Sequence, residues 1–346
     1  MDFMSFFTPK AIAANWIEAA SNRIPYLGEG LFPAHKKAGL DLAWFKGQNG
    51  IPVSLMPSAF DAQATYRDRI PVEKVETEMP FFREGFKIKE KDRQDLLRAA
   101  EAGDAYARAI IDRVFNDARN LIEGAKVAAE RMRMQLLFAD QGNVGITIQA
   151  NGVDYTYNYD PAGAWKATNY ATLTGTAVWS DADHADPIAD IDAAKDRLPG
   201  VDLAVAIMNK YTFNLLIKTN AVRNRFITVA GVASAYPSKA ELRKGFEDAA
   251  EVAVAVYDKQ YRNESGVAAK FVPDGYVALV PAGAIGGTWY GTTPEEADGK
   301  NTTLVETGVS VTTVDIPHPV NKNILASEIV LPSYERMNEV ALIKVV

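Results

Sequence analysis

The sequence predicts an α+β protein of about two domains, and three of its features support this prediction. A helical pattern of apolar residues runs from about 105 to 139, a β-hairpin pattern follows it at once, and strands then alternate with short helices to the end of the chain. With 346 residues, the chain is long enough to bury a substantial core without metals or crosslinks.

The composition excludes several classes of function. A net charge of −7 argues against binding nucleic acid independently of sequence, because such binding depends on clustered Lys and Arg. The absence of cysteine excludes disulfides, zinc–thiolate sites and cysteine nucleophiles, and it suits a reducing cytoplasm. The N-terminus carries Asp2 and a Pro9-Lys10 interruption, so we expect no signal peptide. We also expect no membrane span, because no apolar run is long enough.

The segment 66–98 is unusually rich in charge of both signs, with 9 basic and 8 acidic residues among 33. Prolines at 52, 57, 71 and 80 and short runs such as EKVETE indicate extended strand pairs rather than a helix. Two interpretations stay open: a solvated surface hairpin, or an arm that docks on neighbouring subunits. On the second interpretation the inferred inter-subunit contacts are Arg67, Arg69, Glu76, Glu78, Arg83 and Glu84.

The longest helix is predicted directly after this segment. Asp104 is a candidate N-cap, and apolar residues recur with helical spacing from Ala107 to Leu136. Gly124 interrupts the apolar stripe, and no other segment is long enough to pair with it as a coiled coil. We therefore predict one long helix that lies across a sheet.

The remaining chain predicts strands and short helices. Residues 145–159 alternate around Asn151-Gly152, which is a strong hairpin signal. Further strands are predicted at 203–209, 252–257, 276–281, 309–316 and 340–346. Helices are predicted near 187–198, 210–220 and 238–250.

A glycine-rich stretch at 271–298, FVPDGYVALVPAGAIGGTWYGTTPEEAD, raises the question of a phosphate-binding loop. Its glycines match neither G-x-G-x-x-G nor G-x-x-x-x-G-K-[ST], and TWYGTTPEEAD shows no helical period. We interpret these glycines as turn and packing positions.

An aspartate-rich run, SDADHADPIADID, is the best candidate for a metal site. It departs from the calcium-loop pattern at its fifth, glycine and final positions, so helix capping is the more economical interpretation. Asp186 would cap a helix, Pro187 would occupy its first turn, and Asp190 would interact favourably with the positive end of the helix dipole. The alternative from another functional class is a metal-dependent hydrolase that uses residues 181–192.

No catalytic, cofactor-binding or metal-binding residue is predicted. The three histidines, His35, His184 and His318, are scattered, and no G-x-S-x-G elbow is present. Any two of the 44 acidic residues could still meet in the fold as an acid/base pair, so that possibility stays open at this point.

The late part of the chain resembles the lambda-like tailed-phage major capsid protein family, the phage major capsid protein E family. The resemblance begins with the F-x-P-D step, the short strand, the glycine turn and the acidic end of residues 271–298. Further stretches follow in the same order over nearly the whole chain: YLGEGLFPAHKKAGLDLAWFKGQNG, EKVETEMPFFREGFKIKEKDRQ, VWSDADHADPIADIDAAK, VAVYDKQYRNESGVAAKFVPDGYVALVP and IPHPVNKNILASEIVLPSYERMNEVALIKVV.

This resemblance implies the HK97-like phage capsid fold. The implied divisions are an N-terminal arm at 1–46, an extended loop at 47–90, a peripheral domain at 91–195 with a spine helix at about 105–139, an axial domain at 196–325 and C-terminal return strands at 326–346. The implied function is self-assembly of pentamers and hexamers into the icosahedral head of a tailed double-stranded DNA phage. An encapsulin-like nanocompartment shell, with a cargo pocket instead of a portal vertex, is the alternative within the same fold.

The resemblance also implies partners. Some members carry a charged scaffolding region ahead of the arm, and this sequence starts at the arm, so we expect a separate scaffolding protein. A portal protein, a capsid maturation protease and a head decoration protein are further implied partners. The shell would enclose DNA without sequence-specific binding, form the virion capsid, and assemble in the bacterial cytoplasm without contacting a membrane.

Overall fold

The computed structural model describes residues 7–20, 24–46, 73–101, 105–150, 152–224, 237–263 and 265–346. Arg67, Arg69, the candidate cap Asp104 and the turn residue Asn151 lie outside these described residues. Within the described residues, no helix combines the length and apolar character needed to cross a bilayer.

The helices of the described residues are α1 (Pro9–Ala20), α2 (Leu27–Leu31), α3 (Glu90–Glu101), α4 (Ala105–Leu137), α5 (Ala164–Asn169), α6 (Pro187–Arg197), α7 (Lys210–Leu216), α8 (Lys239–Ala250) and α9 (Pro294–Asp298). The strands are β1 (Ala34–Lys36), β2 (Asp41–Lys46), β3 (Glu73–Glu78), β4 (Phe81–Ile88), β5 (Gly145–Ala150), β6 (Val153–Asn158), β7 (Tyr170–Thr172), β8 (Leu203–Met208), β9 (Ala253–Val256), β10 (Gln260–Arg262), β11 (Ala268–Lys270), β12 (Tyr276–Pro281), β13 (Gly287–Tyr290), β14 (Thr302–Val305), β15 (Val309–Pro317), β16 (Val320–Ser333) and β17 (Ala341–Lys344).

Most elements predicted from periodicity are confirmed. The long helix predicted at about 105–139 is α4, and the hairpin predicted around 151–152 is formed by β5 and β6. The five predicted strands correspond to β8, β9, β12, β15 and β17. The predicted short helices correspond to α6, α7 and α8.

The prediction of extended structure throughout 66–98 is wrong for its last part, which forms α3. Glu90 and Asp92 lie in the first turn of α3, where acidic side chains stabilise a helix because they interact with the positive end of its dipole. The Asp92 carboxylate also accepts a hydrogen bond from the Lys89 backbone N–H at 3.0 Å. The charge content of this segment is therefore not sufficient to predict whether it forms a strand or a helix.

The structure divides into two compact units. The first comprises the described residues within 1–43, 76–132 and 287–333, and the second those within 44–75, 133–286 and 334–346. These divisions follow contacts within one chain. The limits of the arm, loop, peripheral and axial domains stay predictions.

The sheet of the first unit is built around the 14-residue strand β16. Strand β15 pairs antiparallel with β16 along one edge, β4 pairs antiparallel with its other edge, and β13 pairs antiparallel with the last residues of β16. Helix α1 packs on β14 and β15. The core of this unit contains buried side chains from α1, α4 and the sheet, including Trp16, Ala118, Ile122, Val311 and Ile324. The apolar stripe of α4 is buried here, as the sequence pattern predicts.

The sheet of the second unit has the strand order β7-β17-β12-β8-β9. All six residues of β12 are buried, which suits its place in the middle of the sheet. Side chains from α6, α7 and α8 complete a core that includes Trp179, Ile191, Leu216, Phe246 and Val277.

Candidate functional site

The predicted contact residue Arg83 lies on β4, which pairs with β16 so that Arg83 is opposite Ser327. Its guanidinium forms an ion pair with Glu295 at the start of α9. The same guanidinium lies 4.7 Å from the ring centroid of Phe81. The Arg83 side chain is 44% exposed and that of Glu295 is 12% exposed. One chain thus already supplies a partner for Arg83, for which a docking arm would predict partners on neighbouring subunits.

Glu295 also joins a buried chain of hydroxyl groups. Its Oε2 accepts a hydrogen bond from Ser327 Oγ at 2.9 Å, and Ser327 Oγ lies 2.9 Å from Ser310 Oγ. Thr293 Oγ1 lies 2.8 Å from Ser310 Oγ and accepts the Glu296 backbone N–H, which caps α9. Ser310, Ser327 and Thr293 are each at most 2% exposed. These bonds hold the carboxylate of Glu295 in position for Arg83.

A second basic side chain reaches α9 from β1. Lys36 Nζ lies 2.6 Å from Glu296 Oε2 and donates to Gly291 O at 3.0 Å. Beside α9 is a groove of about 520 Å³ whose lining includes Glu295, Asp298 and Asp315. Each of these carboxylates has a basic partner in the chain, since Asp298 lies 3.5 Å from Lys300 and Asp315 lies 3.4 Å from Lys322. The groove therefore does not present a set of unneutralised carboxylates.

Of the other predicted contact residues, the structure describes three, and all three lie on strands. Glu76 and Glu78 are exposed on β3, and Glu84 is exposed on β4. Strands β2 and β3 form a two-stranded sheet, and Met79 N donates to Leu40 O at 2.9 Å next to it. That bond makes the pair antiparallel, so the end of β2 at Lys46 and the start of β3 at Glu73 lie at the same end of the pair. Charge composition drew attention to the segment 66–98 but not to Lys36, Glu295 or Ser327, whose contacts depend on the pairing of distant strands.

The aspartate-rich run forms separate local contacts. Asp186 stands at the N-cap of α6, where its Oδ1 accepts the backbone N–H of Ile188 at 3.1 Å and of Ala189 at 3.2 Å. Asp190 Oδ2 accepts Trp179 Nε1–H at 2.8 Å. Asp183 Oδ1 accepts a hydrogen bond from Asn220 at 2.8 Å, and Asp192 is exposed on α6. Over the part of the chain that the structure describes, no three His, Asp or Glu side chains converge as metal ligands would.

Two ionisable groups of this run form a surface pair. His184 Nδ1 lies 3.0 Å from the Asp181 carboxylate. That hydrogen bond raises the pKa of His184 and lowers the pKa of Asp181. Burial raises the pKa of Asp190, and the hydrogen bond from Trp179 opposes that rise. These contacts are those of a folded loop and the start of a helix.

The glycine-rich stretch at 271–298 is explained by packing. A Cβ on Gly287 would lie 2.9 Å from the His35 ring, and one on Gly291 would lie 2.7 Å from the Ile329 side chain. Gly283 has a φ of 86°, which only glycine adopts without strain. After the turn, β13 and α9 form where the sequence analysis saw no regular period. Close approach of neighbouring elements thus accounts for Gly287 and Gly291, and the backbone conformation accounts for Gly283.

Comparison with solved structures defines the class of fold. A prophage capsid protein of E. coli CFT073 matches over 98% of this chain and 99% of its own, with a TM-score of 0.61 and 15% identity. A phage-related protein of Bordetella bronchiseptica RB50 matches over 97% of each chain, with a TM-score of 0.56 and 14% identity. No curated protein sequence gives a match. The fold is the HK97-like phage capsid fold.

The family follows from the sequence itself. The family model for phage major capsid protein E matches residues 12–345, and the chain belongs to that family.

Proposed function

We propose that this chain is the major head protein of a tailed double-stranded DNA bacteriophage, and that copies of it form the pentamers and hexamers of an icosahedral shell around the genome. The observation that carries the proposal is the match of the phage major capsid protein E family to residues 12–345. The HK97-like fold supports it, because the same chain order of arm, long helix and sheets is expected of such a subunit.

The domain limits expected from the resemblance belong to this proposal. They are the arm at 1–46, the extended loop at 47–90, the peripheral domain at 91–195, the axial domain at 196–325 and the return strands at 326–346. The position of α4 inside the peripheral limits supports the assignment of this helix as the spine. The exposed Glu76, Glu78 and Glu84 support a contact role for the foot of the extended loop.

The subunit acts in this proposal as a structural protein without catalytic activity. The carboxylates of 181–192 support this, because Asp181, Asp183, Asp186 and Asp190 each engage a neighbouring group in the folded chain. A scaffolding protein, a portal protein, a maturation protease and a decoration protein remain predicted partners. Assembly would take place in the host cytoplasm, and the virion capsid would be the final location.

Electron microscopy of the purified full-length chain, alone and after co-expression with the head-assembly proteins of the same phage, tests the proposal. We expect closed icosahedral shells that contain pentamers and hexamers, with a portal at one vertex in the co-expressed sample. Shells that instead hold a host cargo protein and exclude the portal would favour the nanocompartment alternative. Calorimetric titration with calcium, magnesium and manganese tests the hydrolase alternative, for which tight stoichiometric binding is required.

A further inference from the structure

Among the described residues, two strands of the second unit have an edge without a partner strand, and helix side chains bond the outward backbone groups of one residue in each. Strand β9 ends the five-stranded order β7-β17-β12-β8-β9, and β5 has β6 as its only partner strand among the described residues. An open edge presents unpaired N–H and C=O groups, which can pair with a strand of another molecule.

The cover on β9 is an ion pair of α8. Val254 N donates to Glu247 Oε1 at 2.8 Å, and Val254 O accepts a hydrogen bond from the guanidinium of Arg243. Arg243 Nε also donates to Glu247 Oε1 at 2.9 Å, which fixes the two side chains relative to each other. One carboxylate and one guanidinium thus satisfy both backbone groups of a single strand residue, as a neighbouring strand would.

The direction of β9 shows that these bonds lie on its outer edge. Strand β8 pairs with β9 in parallel, and Tyr257 N donates to Met208 O at 2.9 Å. Because backbone groups alternate in direction along a strand, those of Val254 and Val256 point away from β8. Arg243 and Glu247 cover the first of these two positions. The Val256 side chain is 39% exposed.

The cover on β5 is the side-chain amide of Gln135, near the end of α4. Gln135 Nε2 donates to Thr147 O at 3.1 Å, and Thr147 N donates to Gln135 Oε1 at 3.2 Å. Tyr159 N donates to Val144 O, so the backbone groups of Val144 point to the edge on which β6 lies. Because backbone groups alternate in direction along a strand, those of Thr147, three residues later, point away from β6. The amide reproduces both hydrogen bonds that a peptide group of a paired strand would make.

We infer that Arg243, Glu247 and Gln135 are edge covers that prevent a second copy of this chain from adding a strand to β9 or β5. The occupant that they exclude is a second copy, because β9 itself, Ala-Val-Ala-Val, is an uncharged apolar edge strand with which the same strand of another copy could pair. An ion pair on α8 and an amide on α4 thus make the same two backbone hydrogen bonds on two different strands. This inference does not depend on the proposed shell, because it concerns an unwanted contact between any two folded copies.

The test compares two double variants of the full-length chain that differ by one position on α8. Arg243→Met with Glu247→Met opens the edge of β9, whereas Lys244→Met with Asp248→Met removes the same charges at the same spacing from exposed positions. Sedimentation measures the fraction of non-shell aggregate, and infrared spectroscopy measures intermolecular strands. We expect several-fold more aggregate from the opened variant, and about fivefold faster amide exchange at Val254 from loss of its hydrogen bond. Equal aggregation of the two double variants would overturn the inference for β9.

A second comparison keeps the test decisive if the first variant does not fold. Gln135→Leu opens β5, and we expect it to form more aggregate than Gln149→Leu, whereas equal aggregation would overturn the inference for β5. Gln149→Leu is the control on the same hairpin, because the Gln149 amide bonds the Asp154 side chain instead of the backbone. Circular dichroism checks that each variant is folded. Adding Val256→Pro to the opened β9 variant should return its aggregate to the control level, because proline lacks the outward N–H. Aggregation that persists with this proline would show that strand addition to β9 is not its cause.

Discussion

Arg83 on β4 and Glu295 at the start of α9 form an ion pair within one chain, and the Glu295 carboxylate is itself held by the buried Ser327 hydroxyl. Within the charged segment 66–98, the Arg83 side chain is therefore held by a partner in its own chain. Any contact that Arg83 makes with a neighbouring subunit would add to this pair or replace it.

The two partners of this ion pair should contribute unequally to stability. We expect Arg83→Ala to lower the free energy of unfolding by less than about 1 kcal/mol, because the Arg83 side chain is 44% exposed. Glu295→Ala should cost more, about 1–3 kcal/mol, because the buried Ser327 hydroxyl then loses its acceptor. Urea unfolding of the dissociated subunit measures both values, and Glu295→Gln serves as the control that keeps an acceptor. Equal costs for the two alanine variants would contradict this account.

The segment 47–72 should be dispensable for folding of the subunit and necessary for closed shells. Because β2 and β3 are antiparallel partners, an Asn-Gly turn can replace residues 47–72 and leave both strands, β4 and β16 in place. We expect a soluble subunit with unchanged circular dichroism that forms no closed shells by sedimentation and electron microscopy.

The control for this replacement is the full-length chain with Arg67→Ala and Arg69→Ala, which keeps the segment and removes two predicted contact residues. Fewer shells from this variant would support those residues as contacts. Normal shells from the replacement variant would refute a docking role for the whole segment.

Two substitutions on α4 should shift stability in opposite directions. Ala118→Pro removes a helix hydrogen bond at a position that is 1% exposed, and it should cost about 3 kcal/mol or more. Gly124→Ala should stabilise the subunit by about 1 kcal/mol, because no atom beyond the adjacent residues and the neighbouring backbone of α4 lies within 4 Å of the added Cβ. Thermal unfolding of the dissociated subunit measures both changes. If Gly124→Ala stabilises the subunit but reduces shell yield, Gly124 lies at a contact between copies.

The N-cap of α6 should contribute about 1 kcal/mol to the free energy of unfolding. Asp186→Ala removes the acceptor of the Ile188 and Ala189 N–H groups, whereas Asp186→Asn keeps an oxygen acceptor in place. Asp192→Ala, an exposed position of the same helix, is the matched control. In chemical unfolding, the free energy of unfolding of Asp186→Ala should be well below that of the other two variants. A loss for Asp192→Ala as large as that for Asp186→Ala would mean that charge, not capping, stabilises this helix.

The pair His184–Asp181 should be visible as a shifted histidine titration. We expect the pKa of His184 by nuclear magnetic resonance to lie above its ordinary value of 6.5, and Asp181→Asn to bring it back towards that value. Since the folded pKa of His184 is raised, its stabilising effect is present at low pH and is lost as pH rises through that pKa. Since the folded pKa of Asp181 is lowered, its effect is lost as pH falls through that lower pKa. A His184 pKa at or below 6.5 would contradict the observed contact.

Local patterns in the sequence were sufficient for many of the elements. The apolar stripe of α4 repeats within each turn, and the cap at Asp186 depends on residues only two and three positions away. The alternation around 151–152 likewise predicted β5 and β6. Such features depend on neighbours in the chain, so they can be read without knowledge of the fold. The order of quoted stretches also indicated the family to which the chain belongs.

Only the tertiary structure decided which distant residues meet. The pairing of β4 with β16 brings Arg83 near Glu295 and Ser327, and no local pattern specifies that register. Gly287 and Gly291 are explained by side chains of His35 and Ile329 from other strands. The segment 90–101 became helix α3 although its charge pattern suited an exposed strand equally well. Periodicity reports which face of an element is buried, whereas the partner that buries it depends on the packing of the whole chain.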